Sequence, residues 1–536
     1  MSLKLGRRSF LSSLGVAGAG LLGAGKLGAL APTAGKGNMG SMTSPGLPWV
    51  DGHPIVPITK GLGSTGNPWA ELGVQPLVNI NGTVTVIGGS VMKPEVMELI
   101  RMGNMHFVSL DELEVAAGKW LATLCKSPPG HTGLVVGGAA AAAMVGYSAM
   151  MTEDYNERLA AVPDLTNFPK TEVIIQQGHR GSFDHQIRQT GVKLVVVNSR
   201  DEMIAAINPR TVGIHFLNIS SGRAGGVSGP DTVAIAKQHN VYTFCDASAD
   251  VPPKERLWEY QAVGFDMVTF SGGKDICGPQ ATGLLFGRED LIKWSLLNMS
   301  PQENRIGRAC KVGKEEIFGL LKAVELFVDQ DYNETLRKYD AKAQTITDAL
   351  APYGVTANPR RYDETALGNV SPSYSWTWDA DKVAITNQVI MQKLGETAPV
   401  AIGAGSRANA GGISGRPDPN WPASAAGAGG RGGGGGRGGA AGAAGGAGGR
   451  AGAGAPGAPG APAVAGAPGA PGAAPAARGG GGGRGGGTPN QFGFSTWLLK
   501  DGEDKYIANR LVDIFNEAGV KKVSAKAPAK AAPKKA

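Results

Sequence analysis

Between residues 131 and 287 short apolar runs alternate with helical stretches, and nothing else in the chain narrows its folding options so far. The runs are "TGLVVG", "TEVIIQ", "VKLVVVN", "TVGIHFLN", "VYTFCDAS", "DMVTFS" and "TGLLFG", each bounded by polar or glycine-containing turns. Among them lie "AAAAAMVGYSAMM", "FDHQIRQTG", "DEMIAAI" and "PDTVAIAKQHN", which have the length and spacing of helices. Buried strands that take turns with helices predict an α/β fold, its seven-stranded, mostly parallel sheet covered on both faces. The last two runs stand close together, which leaves room for an antiparallel member.

The flanks complete the domain plan. Residues 37–110 form a Pro/Gly-rich arm and a small-domain segment, with a proline at a helix start in "VMKPEVMELIRMG". The large domain is expected over 111–330, opening with the helical "DELEVAAGKWLATLC". A smaller α+β C-terminal domain follows over 331–403, resumes over 489–519 as "NQFGFSTWLLKDGEDKYIANRLVDIFNEAG", and ends in a basic tail, 520–536. The intervening block, 404–488, is Gly/Ala/Pro-rich, and a loop insertion of that size is tolerated because closure entropy grows slowly with length. Its Gly-Ala-Pro triplets are too irregular for a collagen helix, and its Arg-Gly-Gly pieces lack aromatic residues to stack on bases.

Charge must be read by segment. The formal net charge is +8, yet the last sixteen residues hold six lysines, the first 36 hold five basic residues, residues 421–490 hold five arginines, and none of the three holds an acid. The folded body is therefore acidic, and a nucleic-acid-binding core is not implied. Cys125, Cys245, Cys277 and Cys310 contain no CxxC pair, so the sequence signals neither a zinc site nor a disulfide framework. At the N-terminus, "LGRRSFLSSLGVAGAGLLGAG" places paired arginines before a mildly apolar, glycine-rich run. Residues 1–36 resemble a twin-arginine export signal, although Gly6 precedes the arginines and Ser12 stands where a lysine is common. The run is too short and glycine-rich for a spanning helix. The expectation is an exported, periplasmic protein that uses the twin-arginine machinery.

"TFSGGKDICGPQATGLLFG" sets Lys274 just after an apolar strand and a Ser-Gly-Gly turn, and Asp246 ends the strand "VYTFC". In open α/β sheets ligands sit at the carboxyl ends of strands, so both side chains fall at the edge of one crevice. Pyridoxal phosphate requires such a pair, a lysine to bind it as a Schiff base and a carboxylate for its pyridinium nitrogen. An ordinary strand-end Asp and a solvated Lys would leave the same trace. Gly138, Ala139 and Ala140, between a strand and a helix start, are candidates to hold a phosphate, and Ser271 could add a hydroxyl. His179, also past a strand end, is a candidate to stack on a cofactor ring, with His185 a weaker one. Arg305 and Arg308 could clamp a substrate carboxylate or be plain surface charge.

"INGTVTVIGGSVMKPEV", "EVIIQQGHRGSFDHQIRQTGVKLV", "FCDASADVPP", "MVTFSGGKDICGPQATGLLFGREDLI" and "IGRACKVGKEE" resemble the D-glucosaminate-6-phosphate ammonia-lyase branch of fold-type I pyridoxal phosphate enzymes. That branch is related to bacterial L-seryl-tRNA(Sec) selenium transferase. The resemblance covers roughly residues 70–400 and resumes near 490. It implies an aspartate aminotransferase-like fold, Lys274 as the Schiff-base lysine, Asp246 at the pyridine nitrogen, His179 on the ring, and a homodimer or higher assembly. It also implies α,β-elimination from an amino acid or amino-sugar acid, giving a 2-oxo acid and ammonia. A transferase or aldolase reaction is the alternative within the cofactor class. A non-catalytic exported interaction protein on the same fold is the alternative outside it.

Overall fold

The computed structural model describes residues 49–50, 53–54, 58–217, 226–360, 373–381, 383–396, 399, 401–402 and 490–523. The expected signal, the whole Gly/Ala/Pro block and most of the basic tail lie outside these residues. The chain divides into two units, Met1–Val74 and Gln75–Ala536. The described part of the first unit holds a two-residue strand pair, β1 (Trp49–Val50) and β2 (His53–Pro54), and the one-turn helix α1 (Pro68–Glu71).

The second unit begins with β3 (Val78–Asn79), α2 (Pro94–Gly103) and α3 (Leu110–Leu124). Its main sheet uses β4 (His131–Val136), β5 (Glu172–Gln176), β6 (Lys193–Val197), β7 (Thr211–Leu217), β8 (Tyr242–Asp246), β9 (Met267–Ser271) and β10 (Gly283–Arg288). These are the seven apolar runs, ordered β4-β10-β9-β8-β7-β5-β6. β10 is antiparallel to both of its neighbours, and the remaining pairs are parallel. Eleven residues separate β9 from β10, too few for the helical crossover that a parallel pair of strands needs.

Alternation along the strands sends successive side chains to opposite faces. Phe244 and Met267 point into the cluster built on α4 (Ala139–Thr152), whereas Cys245 and Val268 join the cluster on the other face with α3 and α11 (Lys314–Asp329). Every residue of α4 except Ala140 is buried. Its sequence is accordingly apolar all round, as a fully enclosed helix requires. Between α4 and α11 run α5 (Asn156–Ala161), α6 (Asp184–Arg188), α7 (Arg200–Ala206), α8 (Gly229–His239), α9 (Arg256–Val263) and α10 (Glu289–Leu297). The sequence reading did not single out α5, α9 or α10.

A second core follows. α12 (Tyr332–Leu350), α13 (Asn387–Glu396) and α14 (Glu503–Glu517) pack with an antiparallel sheet of β11 (Thr356–Arg360), β12 (Ser373–Thr377) and β14 (Gln491–Ser495) around Trp376, Phe492, Ile514 and Phe515. β12 precedes the Gly/Ala/Pro block and β14 follows it, yet they pair directly from Ser373↔Ser495 to Thr377↔Gln491. Val78 and Ile80 enter this core too, and β3 pairs in parallel with β13 (Ala401–Ile402). No helix among the described residues is long and apolar enough to cross a membrane.

Candidate active site

The carboxyl edge of the main sheet gathers the residues of interest. Asp246 is the last residue of β8 and is opposite Leu217 of β7 and Thr269 of β9. Ser271 ends β9 and is opposite Gly283, which in turn is opposite Val136 at the end of β4. The ends of β4, β9 and β8 thus share one edge, and neighbouring strands lie about 4.8 Å apart. By alternation Asp246, Thr269 and Ser271 share the sheet face that α4 covers.

The loop after β9 is built by close approach. A Cβ on Gly272 would come within 2.3 Å of Thr282 Oγ1, and one on Gly273 within 2.5 Å of Gln280 Cα, so neither position admits a side chain. The Gly278 amide donates to the Gly272 carbonyl at 2.8 Å, and the Cys277 amide to the Lys274 carbonyl at 2.9 Å. Lys274 is half-buried on this closed turn, and its Nζ forms no hydrogen bond or ion pair among the described residues. A segment almost two hundred residues away braces the loop. Ser90 Oγ donates to the Gly273 carbonyl at 3.1 Å, and Gln280 Nε2 donates to the Thr85 carbonyl at 3.0 Å. Burial raises the Cys277 thiol to about 11, against the effects of the Ser90 hydroxyl and Lys93.

At the end of β4, Gly138 caps α4 with φ +99°, a conformation that favours glycine, and the space beside it is open. The first intrahelical bond runs from the Ala142 amide to the Gly138 carbonyl, 3.0 Å, and no side chain caps the helix. The amides of Ala139, Ala140 and Ala141 therefore have no intrahelical acceptor, and the positive end of the helix dipole faces the same edge. This is the chemistry a phosphate needs. Asp246 Oδ1 accepts the Ser248 amide at 3.0 Å, and the carboxylate forms no ion pair among the described residues. A lysine amine, a carboxylate and an anion cradle on one edge fit pyridoxal phosphate.

The other candidates are placed as follows. His179 follows β5, packs edge-on against Phe216 with centroids 4.9 Å apart, and its Nδ1 accepts the Leu217 amide at 3.3 Å. It therefore stands at the same sheet edge. His185, in α6, contacts Arg188 at 3.1 Å. The Arg305–Cys310 stretch passes beside the β4–α4 turn, where a Cβ on Gly137 would meet the Cys310 carbonyl at 2.7 Å. Arg305 donates Nε to the Leu297 carbonyl and Nη1 to that of Asn304, at 3.1 and 3.0 Å. Arg308 is exposed, with Nη1 3.0 Å from Ser300 Oγ.

Sequence reasoning passed over a buried polar pair on the α4 side. Tyr147 Oη, on α4, lies 3.0 Å from His215 Nδ1, on β7. Burial lowers His215 to about 4, with Asp246 and Asp184 acting in the opposite direction. Burial also pushes the Tyr147 phenol well above its ordinary range, aided by Asp246. The one available signal was a histidine inside the otherwise apolar run "TVGIHFLN".

The architecture is that of the aspartate aminotransferase-like, fold-type I enzymes, and residues 160–302 match the aminotransferase class-V family model. The chain is 27% identical over 293 residues to the D-glucosaminate-6-phosphate ammonia lyase of Salmonella typhimurium, covering 53% of this chain and 76% of that one. It is 28% identical over 274 residues to a 5'-C-glycyluridine monooxygenase-decarboxylase of Streptomyces sp, covering 49% and 65%. It is 25% identical over 288 residues to the L-seryl-tRNA(Sec) selenium transferase of Desulfomicrobium baculatum, covering 48% and 57%. These last two are thus spanned over less than two thirds of their length. A solved D-glucosaminate-6-phosphate ammonia-lyase structure superposes with a TM-score of 0.59 at 20% identity, over 84% of this chain and 98% of that one. The class-V match and the ammonia-lyase likeness indicate pyridoxal 5'-phosphate as the cofactor.

Proposed function

We propose that this protein is a pyridoxal phosphate-dependent lyase that removes the α-hydrogen and a β-hydroxyl from an amino acid or amino-sugar acid, releasing a 2-oxo acid and ammonia. The observation that carries the reading is the convergence of Lys274, Asp246 and the uncapped start of α4 on one sheet edge. The similarity to an ammonia lyase supports elimination over the other chemistries of the class.

The cofactor, when bound, supplies an electron sink for the carbanion. The chain does the rest. Lys274 would attach the cofactor, and its free amine would be the base for the α-proton. Asp246 would hold the proton on the ring nitrogen. The amides of Ala139 and Ala140, beside Gly138 and the Ser271 hydroxyl, would hold the phosphate, and His179 would pack on the ring. Arg308, the more available of the two arginines, is the first candidate for a substrate carboxylate. Loss of water from the β-carbon leaves an enamine whose hydrolysis returns that water and frees ammonia, so the atoms balance.

Arg7 and Arg8 and the apolar run after them support export, which would place the reaction in the periplasm and favour a substrate found there. The family resemblance supports a homodimer.

The test is the visible spectrum of the purified protein beside that of Lys274→Ala. The parent should show a lysine-bound cofactor band that borohydride abolishes, the variant should lack it, and β-hydroxy amino acids or amino-sugar acids should yield ammonia. A parent that stays colourless after addition of pyridoxal phosphate refutes the enzyme reading and favours the interaction protein. A cofactor-loaded parent that releases no ammonia but transfers or cleaves a carbon fragment favours the transferase or aldolase.

A further inference from the structure

The Tyr147–His215 pair lies one step along the strands from Asp246. His215 is opposite Phe244 and Leu217 is opposite Asp246, so His215 and Asp246 project from the same face of adjacent strands. Both members of the pair are buried, Tyr147 at 0% and His215 at 4% exposure. The imidazole stacks on Phe244 with 17° between planes. Sealing two polar rings into an apolar cluster is costly unless their hydrogens find partners.

The surroundings select one arrangement of those hydrogens. If Nδ1–H donated to the phenol, the Tyr147 hydrogen would be left without an acceptor among the described residues, and the ring, on which Asp246 and Asp184 both act, would carry no proton on Nε2. If the phenol donates to Nδ1, its hydrogen is satisfied and the imidazole carries its proton on Nε2, a dipole that two carboxylates favour. The two carboxylates are not equivalent. Arg180 pairs with Asp184, and Arg188 Nε is 3.7 Å from it. Asp246 has no cation of its own among the described residues.

We propose that Tyr147 and His215 are positioning residues for Asp246: the phenol locks the imidazole in its Nε2–H form, and that dipole, on the same face of the adjacent strand, favours the Asp246 carboxylate in the place where it would meet the cofactor's ring nitrogen. A neutral dipole does this without placing a cation beside the ring. The inference rests on the cofactor reading of Asp246. It requires only side chains of α4, β7 and β8, so it holds for any substrate.

The experiment compares full-length parent, Tyr147→Phe, His215→Gln and His215→Phe, each loaded with pyridoxal phosphate. Solid-state NMR of 15N-histidine-labelled protein should find His215 neutral with its proton on Nε2, and Tyr147→Phe should mix the two tautomers. The dissociation constant for pyridoxal phosphate should rise about three- to tenfold in Tyr147→Phe, the loss expected for one buried hydrogen bond. It should rise further in His215→Phe and be partly rescued in His215→Gln, which retains an N–H donor. A proton on Nδ1, or unchanged cofactor affinity in Tyr147→Phe and His215→Gln, would overturn the inference. The tautomer in the parent decides the matter even if His215→Phe fails to fold. A parent that binds no pyridoxal phosphate would overturn the cofactor reading, and this inference with it.

Discussion

Replacing Glu114 with glutamine should remove most of the alkaline loss of stability that this buried carboxyl imposes on the fold. Glu114 is 2% exposed on α3, and its Oε2 accepts the Val135 amide at 3.3 Å along the outer edge of β4. Burial raises its pKa from 4.5 to about 8, with Asp111 adding to the rise and the Val135 amide opposing it. The folded state therefore holds the proton more tightly than the unfolded chain. The stability linked to it is fully present below pH 4.5 and is lost as pH climbs to 8. Between pH about 5 and pH about 9 the loss integrates to roughly 4 kcal/mol, a large share of the roughly 5–15 kcal/mol that holds a typical protein folded. Glutamine keeps an oxygen for the Val135 amide and cannot ionise. Urea melts of parent and variant across that range should diverge by about this amount, with the variant the flatter. Parallel curves would mean that Glu114 does not retain its proton on folding, and would refute the reasoning.

Gly283→Ala should weaken pyridoxal phosphate binding and cost about 1–3 kcal/mol of stability, because the new Cβ would stand 2.6 Å from Gly138 C and 2.8 Å from Ala139 N, backbone atoms of the phosphate cradle. Cofactor titration and melts check it together, and full affinity would show that the cradle does not bind. Trp376→Ala, at the centre of the small core, should cost about 3–5 kcal/mol, read as a fall in the melting midpoint. An unchanged midpoint would show that this core melts independently of the transition observed.

Where the candidate residues fall in the fold could largely be read in the chain because that placement is local. Lys274 and Asp246 each follow an apolar run, and a residue that follows a parallel strand is delivered to the carboxyl edge of the sheet whatever the strand order. Gly138 to Ala140 could be read for the same reason, since a strand that turns into a helix exposes the helix's free amides. Arg305 and Arg308 are the less legible candidates. The structure commits two nitrogens of Arg305 to carbonyls, and no periodicity announces such a bond.

The sequence by itself determined the seven strands of the main sheet, most of the helices, their order along the chain and the position of Lys274 and Asp246 at strand ends, because these follow from side-chain periodicity and short-range backbone preference. Only the tertiary structure decided that β10 runs against its neighbours, that β12 and β14 meet across the Gly/Ala/Pro block, and that Ser90 braces the lysine loop from 183 residues away. It alone brought Tyr147 to His215 across 68 residues. Such contacts are settled by how whole faces pack and which buried hydrogens can be satisfied together, and no local stretch of chain carries that information.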